Sequence, residues 1–205
     1  MNADQEFKNL GMKPMEEKNI KKTFKLAFLG NTGVGKDTCC HIIQKKFHSL
    51  EIKLLKLATP FYAAQNTIYD LCGKEKNPET QDGILLNFLG QHMRFINPNI
   101  LQESFLKTLN ELYREETDLI ICPDVRPIDV PFVKKAGFFI LHIASDPKIT
   151  LLRRQKRGDI SLGQSIHKTE KGLSPDLYDY QILNNKTLED FQEKIMKFME
   201  WWMVG

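Results

Sequence analysis

The sequence predicts an α/β fold, a mainly parallel five-stranded sheet flanked by helices, with a lid segment late in the chain. Three observations carry that expectation. Short apolar runs alternate along the chain with longer stretches of helical period. The order strand, helix, strand, helices, strand, helix, strand, helix, strand, helix implies parallel strands covered on both faces. The first apolar run ends in Gly30, and the pattern Gly30-x-x-x-x-Gly35-Lys36 joins it to the first helical stretch, the setting of a phosphate-binding loop.

Residues 24–29 form the first strand. Residues 36–47 follow with helical period, placing Cys40, Ile43 and Phe47 on one face. Residues 52–58 form a second strand, stopped by Pro60. Residues 61–71 are helical and stop at Cys72-Gly73. The polar stretch 74–81 contains Pro78 and forms a loop. Two helices follow, 83–95 and, after Pro98, 99–114. Residues 119–122 make a short apolar strand that delivers Asp124. A short helix spans 130–136, before Gly137, and residues 138–144 form another buried strand. Residues 147–157 are a helix with a basic end, and the Gly- and Ser-containing stretch 158–176 is the lid. Residues 180–183 are the last strand, and 188–202 an amphipathic helix. Residues 1–22 alternate lysines and acids without an apolar period, so they are expected to be a flexible leader to a single domain over 23–205.

The chain has 205 residues, of which 41% are hydrophobic and 27% charged, enough for one α/β domain with its own core. Its net charge of +3 suits anionic small molecules and is too weak to argue for nucleic acid. The four cysteines, Cys39, Cys40, Cys72 and Cys122, show no CxxC spacing, which favours reduced thiols in a cytoplasmic protein. No apolar stretch approaches the length of a membrane span, and the N-terminus lacks the apolar core of a signal peptide.

The loop Gly30, Asn31, Thr32, Gly33, Val34, Gly35, Lys36, Asp37 and Thr38 is expected to bind the phosphates of ATP. Glycines let the backbone curl until several N–H groups face phosphate oxygens, and the helix N-terminus adds partial positive charge. Lys36 places an ammonium on the outer phosphates and follows charge as it moves. The usual Ser or Thr after the lysine is absent. Asp37 stands there, so Thr38 is the candidate hydroxyl for Mg²⁺, with Asp37 near the metal or its waters. The alternative for Asp37 is a favourable acid in the first helical turn.

Asp124 and Arg126 end an apolar strand, where ligands bind in open parallel sheets. Asp124 is placed to hold Mg²⁺ directly or through water, and Arg126 to reach phosphate oxygens. An ion pair between the two is the competing reading. Arg153, Arg154 and Arg157 crowd the end of a helix just before the lid. Arginines there can supply charge to a transferring phosphoryl group, or complement the helix dipole. Phe61 and Tyr62 follow Pro60, where an aromatic could stack on an acceptor base or pack in the core. His167 is either a phosphate contact or a solvated loop histidine. His142 is expected to be a satisfied core histidine. Trp201 and Trp202 close the last helix as packing residues, with an interface, and hence a homodimer, as the alternative.

Several of these pieces together resemble the deoxynucleoside monophosphate kinases of the kind phages carry. They are Gly35-Lys36-Asp37-Thr38, Leu89-Gly90-Gln91-His92-Met93-Arg94 with Asn97-Pro98, Asp124-Val125-Arg126, His167-Lys168-Thr169-Glu170, and Tyr178 through Asn185. Gly90-x-x-x-Arg94-x-x-x-Pro98, Arg154-Gln155-Lys156-Arg157-Gly158 and Thr169-Glu170-x-Gly172-Leu173 also resemble animal-type phosphomevalonate kinases. The resemblance implies a nucleoside-monophosphate-kinase-like P-loop NTPase fold, with ATP and Mg²⁺ as cofactors. It implies a small phosphorylated acceptor, a (deoxy)nucleoside monophosphate or phosphomevalonate. By the same resemblance Lys36, Asp124, Arg126, Arg154 and Arg157 are catalytic. Arg94 grips the acceptor phosphate alongside Gln91, and Asn184 and Asn185 lie where such kinases approach the adenine. Asn97, where an acid is common, and Pro123, which removes a backbone donor beside Asp124, depart from the pattern. A nucleotide sensor with little turnover, motivated by Asp37 and the leader, is the reading from a different class.

Overall fold

The structure, a computed structural model, describes residues 23–75, 82–158 and 174–204. Strand β1 (Phe24–Leu29) leads through the glycine-rich loop into helix α1 (Lys36–Lys46). Strand β2 (Ile52–Leu54) is followed by α2 (Thr59–Leu71), α3 (Gly83–Ile96) and α4 (Ile100–Arg114). Strand β3 (Leu119–Val125) runs through a short 3₁₀ turn at Pro127–Asp129 into α5 (Val130–Lys135). Strand β4 (Phe139–Ala144), α6 (Pro147–Arg157), β5 (Tyr180–Leu183) and α7 (Leu188–Val204) complete the order. The expected leader 1–22, most of the loop 74–81 and the body of the lid, with His167, Thr169, Glu170, Gly172 and Leu173, lie outside the described residues.

The strands pair in the order β2-β3-β1-β4-β5, all parallel, as expected of a sheet whose crossovers are helical. Alternate residues of each strand feed two cores. Leu26, Phe28, Leu119, Ile121, Leu141 and Ile143 pack under α1 and α7. Ala27, Leu29, Ile120, Cys122 and Ile140 pack under α2, α4 and α5. Both faces are apolar because both are covered, hence the unbroken hydrophobic runs. Cys39, Cys40 and Cys122 are buried thiols in these cores, and burial pushes Cys40 up to about 12.

Two local features shape the site. Pro123 lies inside β3, where it cannot donate to a ladder. The β1–β3 register shifts there, with Ala27 opposite Cys122 and Leu29 opposite Val125, so an extra residue absorbs the missing donor. The second strand is shorter than the expected 52–58. Its ladder with β3 ends at Leu54–Ile121, and the Leu55 N–H still reaches the Ile121 carbonyl at 2.9 Å. Beyond it the backbone turns away because its next amides have another acceptor, the carboxylate of Asp124.

Candidate active site

The C-terminal ends of β1 and β3, the loop after β2, and helices α2, α3 and α6 enclose one cavity of about 1090 Å³. Its first wall is the glycine-rich loop. Gly35, the residue before α1, has φ 104°, and a Cβ there would meet Asn184 Nδ2 at 2.6 Å. A Cβ on Gly30 would run into the Ile143 carbonyl. Both positions need glycine for conformation and for space. Asn184 is buried, donates from Nδ2 to the Val34 carbonyl at 2.8 Å, and receives Arg153 on its Oδ1 at 3.3 Å. Arg153 also meets the Asn184 carbonyl at 3.3 Å. This asparagine, expected near the adenine, spends its side chain on the curl of the loop.

Lys36 is half-buried and donates to the carbonyls of Gly30, at 2.6 Å, and Asn31, at 2.9 Å. Burial, with the Arg126 guanidinium next in weight, lowers its ammonium from the ordinary 10.5 to about 8. Asp37 and Asp124 pull the other way, and Arg157 adds to the lowering. Lys36 therefore sits in the field of Arg126 and Arg157. Asp37 and Thr38 are exposed on the first turn of α1 and line the cavity.

Asp124 is held by backbone. Oδ1 accepts the Leu57 N–H at 2.8 Å and Oδ2 the Ala58 N–H at 3.0 Å. The expected alternative, an ion pair to Arg126, does not form, because both oxygens face the loop after β2. Asp124 thus fastens that loop, and with it Lys56 and Tyr62, to the end of β3. The Lys56 ammonium lies over the Tyr62 ring at 5.4 Å from its centroid, and burial raises the Tyr62 phenol to about 12.

The residues expected to meet an acceptor line the same cavity. Arg94 and Gln91, on α3, line the cavity with Arg126 and Phe61. Phe61 is a core residue, 5% exposed, and the Arg94 guanidinium covers its ring at 5.1 Å. Its free face for stacking on a base is therefore reduced. Arg154 is 7% exposed on α6 and packs against Gly33, where an added Cβ would touch its Cγ at 3.0 Å. Arg153 and Arg157 line the cavity beside it.

Lys56 and Asp129 were not among the residues expected to bind ligand, and the hold of Arg153 on Asn184 was not foreseen either. Asp129 had a signal, since it follows Arg126 by three residues at a strand end. Lys56 had none, because an exposed lysine in a loop is ordinary.

Among the described residues no three His, Cys, Asp or Glu side chains gather as a metal cluster. That donor set still fits Mg²⁺, which keeps waters and binds one or two protein oxygens plus substrate phosphates. Thr38, Asp37 and the unused lone pairs of Asp124 are the oxygens present. No helix among the described residues is long and apolar enough to cross a membrane.

No protein-family model matches this sequence, and no curated protein matches it. Solved structures do resemble it. TT1252 from Thermus thermophilus has a TM-score of 0.57 and 18% identity, covering 90% of this chain and 100% of that one. Shikimate kinase from Acinetobacter baumannii, solved with shikimate, has a TM-score of 0.52 and 13% identity, covering 91% of this chain and 98% of that one. At such identities the likeness is one of architecture, and the chain has the fold of the P-loop kinases.

Proposed function

We propose that this chain transfers the terminal phosphoryl group of ATP to the phosphate of a (deoxy)nucleoside monophosphate, giving ADP and the diphosphate. The observation that carries the reading is a cavity lined by the glycine-rich loop and Lys36 together with Arg94 and Arg126. A donor phosphate on the loop and an acceptor phosphate on the arginines would face each other across it. The acceptor oxygen is already a nucleophile, so positioning and charge neutralisation do the chemistry, without a covalent intermediate.

Each residue has a part in that reading. The loop amides and Lys36 bind the donor phosphates, and Lys36 follows the charge of the group in transit. Arg154 and Arg157 supply further positive charge from α6. Arg94 and Arg126 orient the acceptor, with Gln91 beside them. Asn184 and Arg153 hold the loop in its curled shape. Mg²⁺, when bound, neutralises the phosphates, with Thr38 and, through water, Asp37 or Asp124 as its protein ligands.

A second reading is favoured by one observation, the Phe61 ring lying under Arg94 instead of open to a base. It keeps the reaction and changes the acceptor to phosphomevalonate or another small phosphorylated metabolite. Acceptor-dependent ADP release, measured over all common NMPs and dNMPs plus phosphomevalonate, separates the two. The nucleotide reading expects release with one or more nucleotides and none with phosphomevalonate. Nucleotide binding without release for any acceptor would remove both and leave a sensor.

A further inference from the structure

We propose that Asp129 is a specificity-determining residue of the acceptor end, an internal carboxylate that occupies Arg94 and yields it only to a phosphate group. The proposal rests on the reading of that end as the acceptor site, and it concerns how the site chooses phosphorylated molecules over other anions.

The geometry comes first. The 3₁₀ turn after β3 carries Asp129 into the cavity wall, where its side chain is 15% exposed. Arg94 Nη2 donates to Asp129 Oδ1 at 3.4 Å and to Oδ2 at 3.5 Å, while Nη1 meets the Gly90 carbonyl at 3.3 Å. Charge-assisted N–H···O⁻ bonds normally close to about 2.7–2.9 Å. All three contacts are slack, so the guanidinium is oriented without being locked. Its plane is kept in place from below by the Phe61 ring at 5.1 Å. That support does not depend on which anion takes the N–H groups.

The carboxylate is poorly compensated. Burial pushes the Asp129 carboxyl above the ordinary carboxylate range, against the pull of Arg94. A site meant to bind an anion gains no affinity from an acid of its own, so Asp129 weakens the binding of every acceptor. Selection comes in return. An incoming group must offer more charge and more acceptor oxygens than Asp129 does. A phosphate monoester brings about −1.5 to −2 charges and three terminal oxygens. A carboxylate brings what Asp129 already supplies, and a neutral hydroxyl less. Competition built into a pocket is a means of rejecting near-ligands.

Asp129→Asn tests this, because it removes the charge and leaves an oxygen to receive Arg94. With a non-hydrolysable ATP analogue filling the phosphate loop, inorganic phosphate is titrated into wild type and variant. The variant should bind it about three- to tenfold more tightly, the range of a screened like-charge contact. Acetate should compete with phosphate in the variant and not in wild type. The gain should vanish between Arg94→Ala and the Arg94→Ala/Asp129→Asn double variant. Unchanged or weaker phosphate binding in Asp129→Asn, or the same gain without Arg94, overturns the proposal. A purely structural Asp129 would lower the melting temperature and leave the phosphate-to-acetate preference untouched. If wild type releases no ADP with any acceptor, the kinase reading fails, and the anion titrations still decide the role of Asp129.

Discussion

Lys36 concentrates the residue-scale argument. Its ammonium bonds carbonyls of its own loop and is lowered to about 8 by burial and by Arg126. Lys36→Ala removes the one loop side chain that can follow a phosphoryl group in transit. Turnover should fall by at least about a hundredfold, the scale of a lost electrostatic contact in a transition state, with the far-UV spectrum unchanged. Full activity in that variant would remove the kinase assignment. The lowered value has a second consequence. The folded chain releases the Lys36 proton near pH 8, whereas the unfolded chain keeps it to about 10.5. Between those values the unfolded state binds more protons, so this residue's contribution to stability rises with pH across the window. Bound nucleotide phosphates favour the charged form, so ATP binding at pH 8 to 9 should take up a proton. Calorimetry in buffers of different ionisation enthalpy reads that uptake directly, and Lys36→Met should abolish it.

The loop after β2 shows what the element scale adds, and why only part of it was legible. Residues 55–58 are apolar enough to continue a strand, and the sequence offers no stop before Pro60. The strand ends early because Asp124, more than sixty residues away, takes the Leu57 and Ala58 amides. An acceptor supplied by topology leaves no trace in local periodicity. The glycine-rich loop between β1 and α1 was legible for the opposite reason, since its strand, glycines, lysine and helix are contiguous. Asp129 and Lys56 reach the cavity only once β3 and β2 lie side by side. The clamp makes a distinct prediction. Asp124→Ala strands two backbone donors and should cost about 1–3 kcal/mol. Hydrogen exchange at Leu57 and Ala58 should accelerate markedly more than at Leu26 or Ile121. Equal protection before and after the change would show that the loop is held by something else.

At the scale of the molecule, the sheet is the shared wall of two cores, and the cavity sits at the C-terminal ends of its strands. The glycine-rich loop leans on α7 through Phe191, and on the other face Phe105 of α4 packs against Phe132 of α5 and against Phe138. Phe198 and Phe105 are both about 1% exposed and lie on opposite faces. Replacing either by Ala should cost about 3–5 kcal/mol, the usual price of a buried aromatic cavity. A chain of this length need not unfold in one step. Here it should, because every central strand contributes side chains to both cores and neither survives loss of the sheet. The chain's two tryptophans, Trp201 and Trp202, both sit on α7, so their fluorescence reports one face alone. In Phe105→Ala, damaged on the other face, the fluorescence and far-UV transitions should move together to lower denaturant. A fluorescence midpoint that stays put while the far-UV midpoint falls would show that the two cores unfold independently. The shared sheet would then not couple one wall of the cavity to the other.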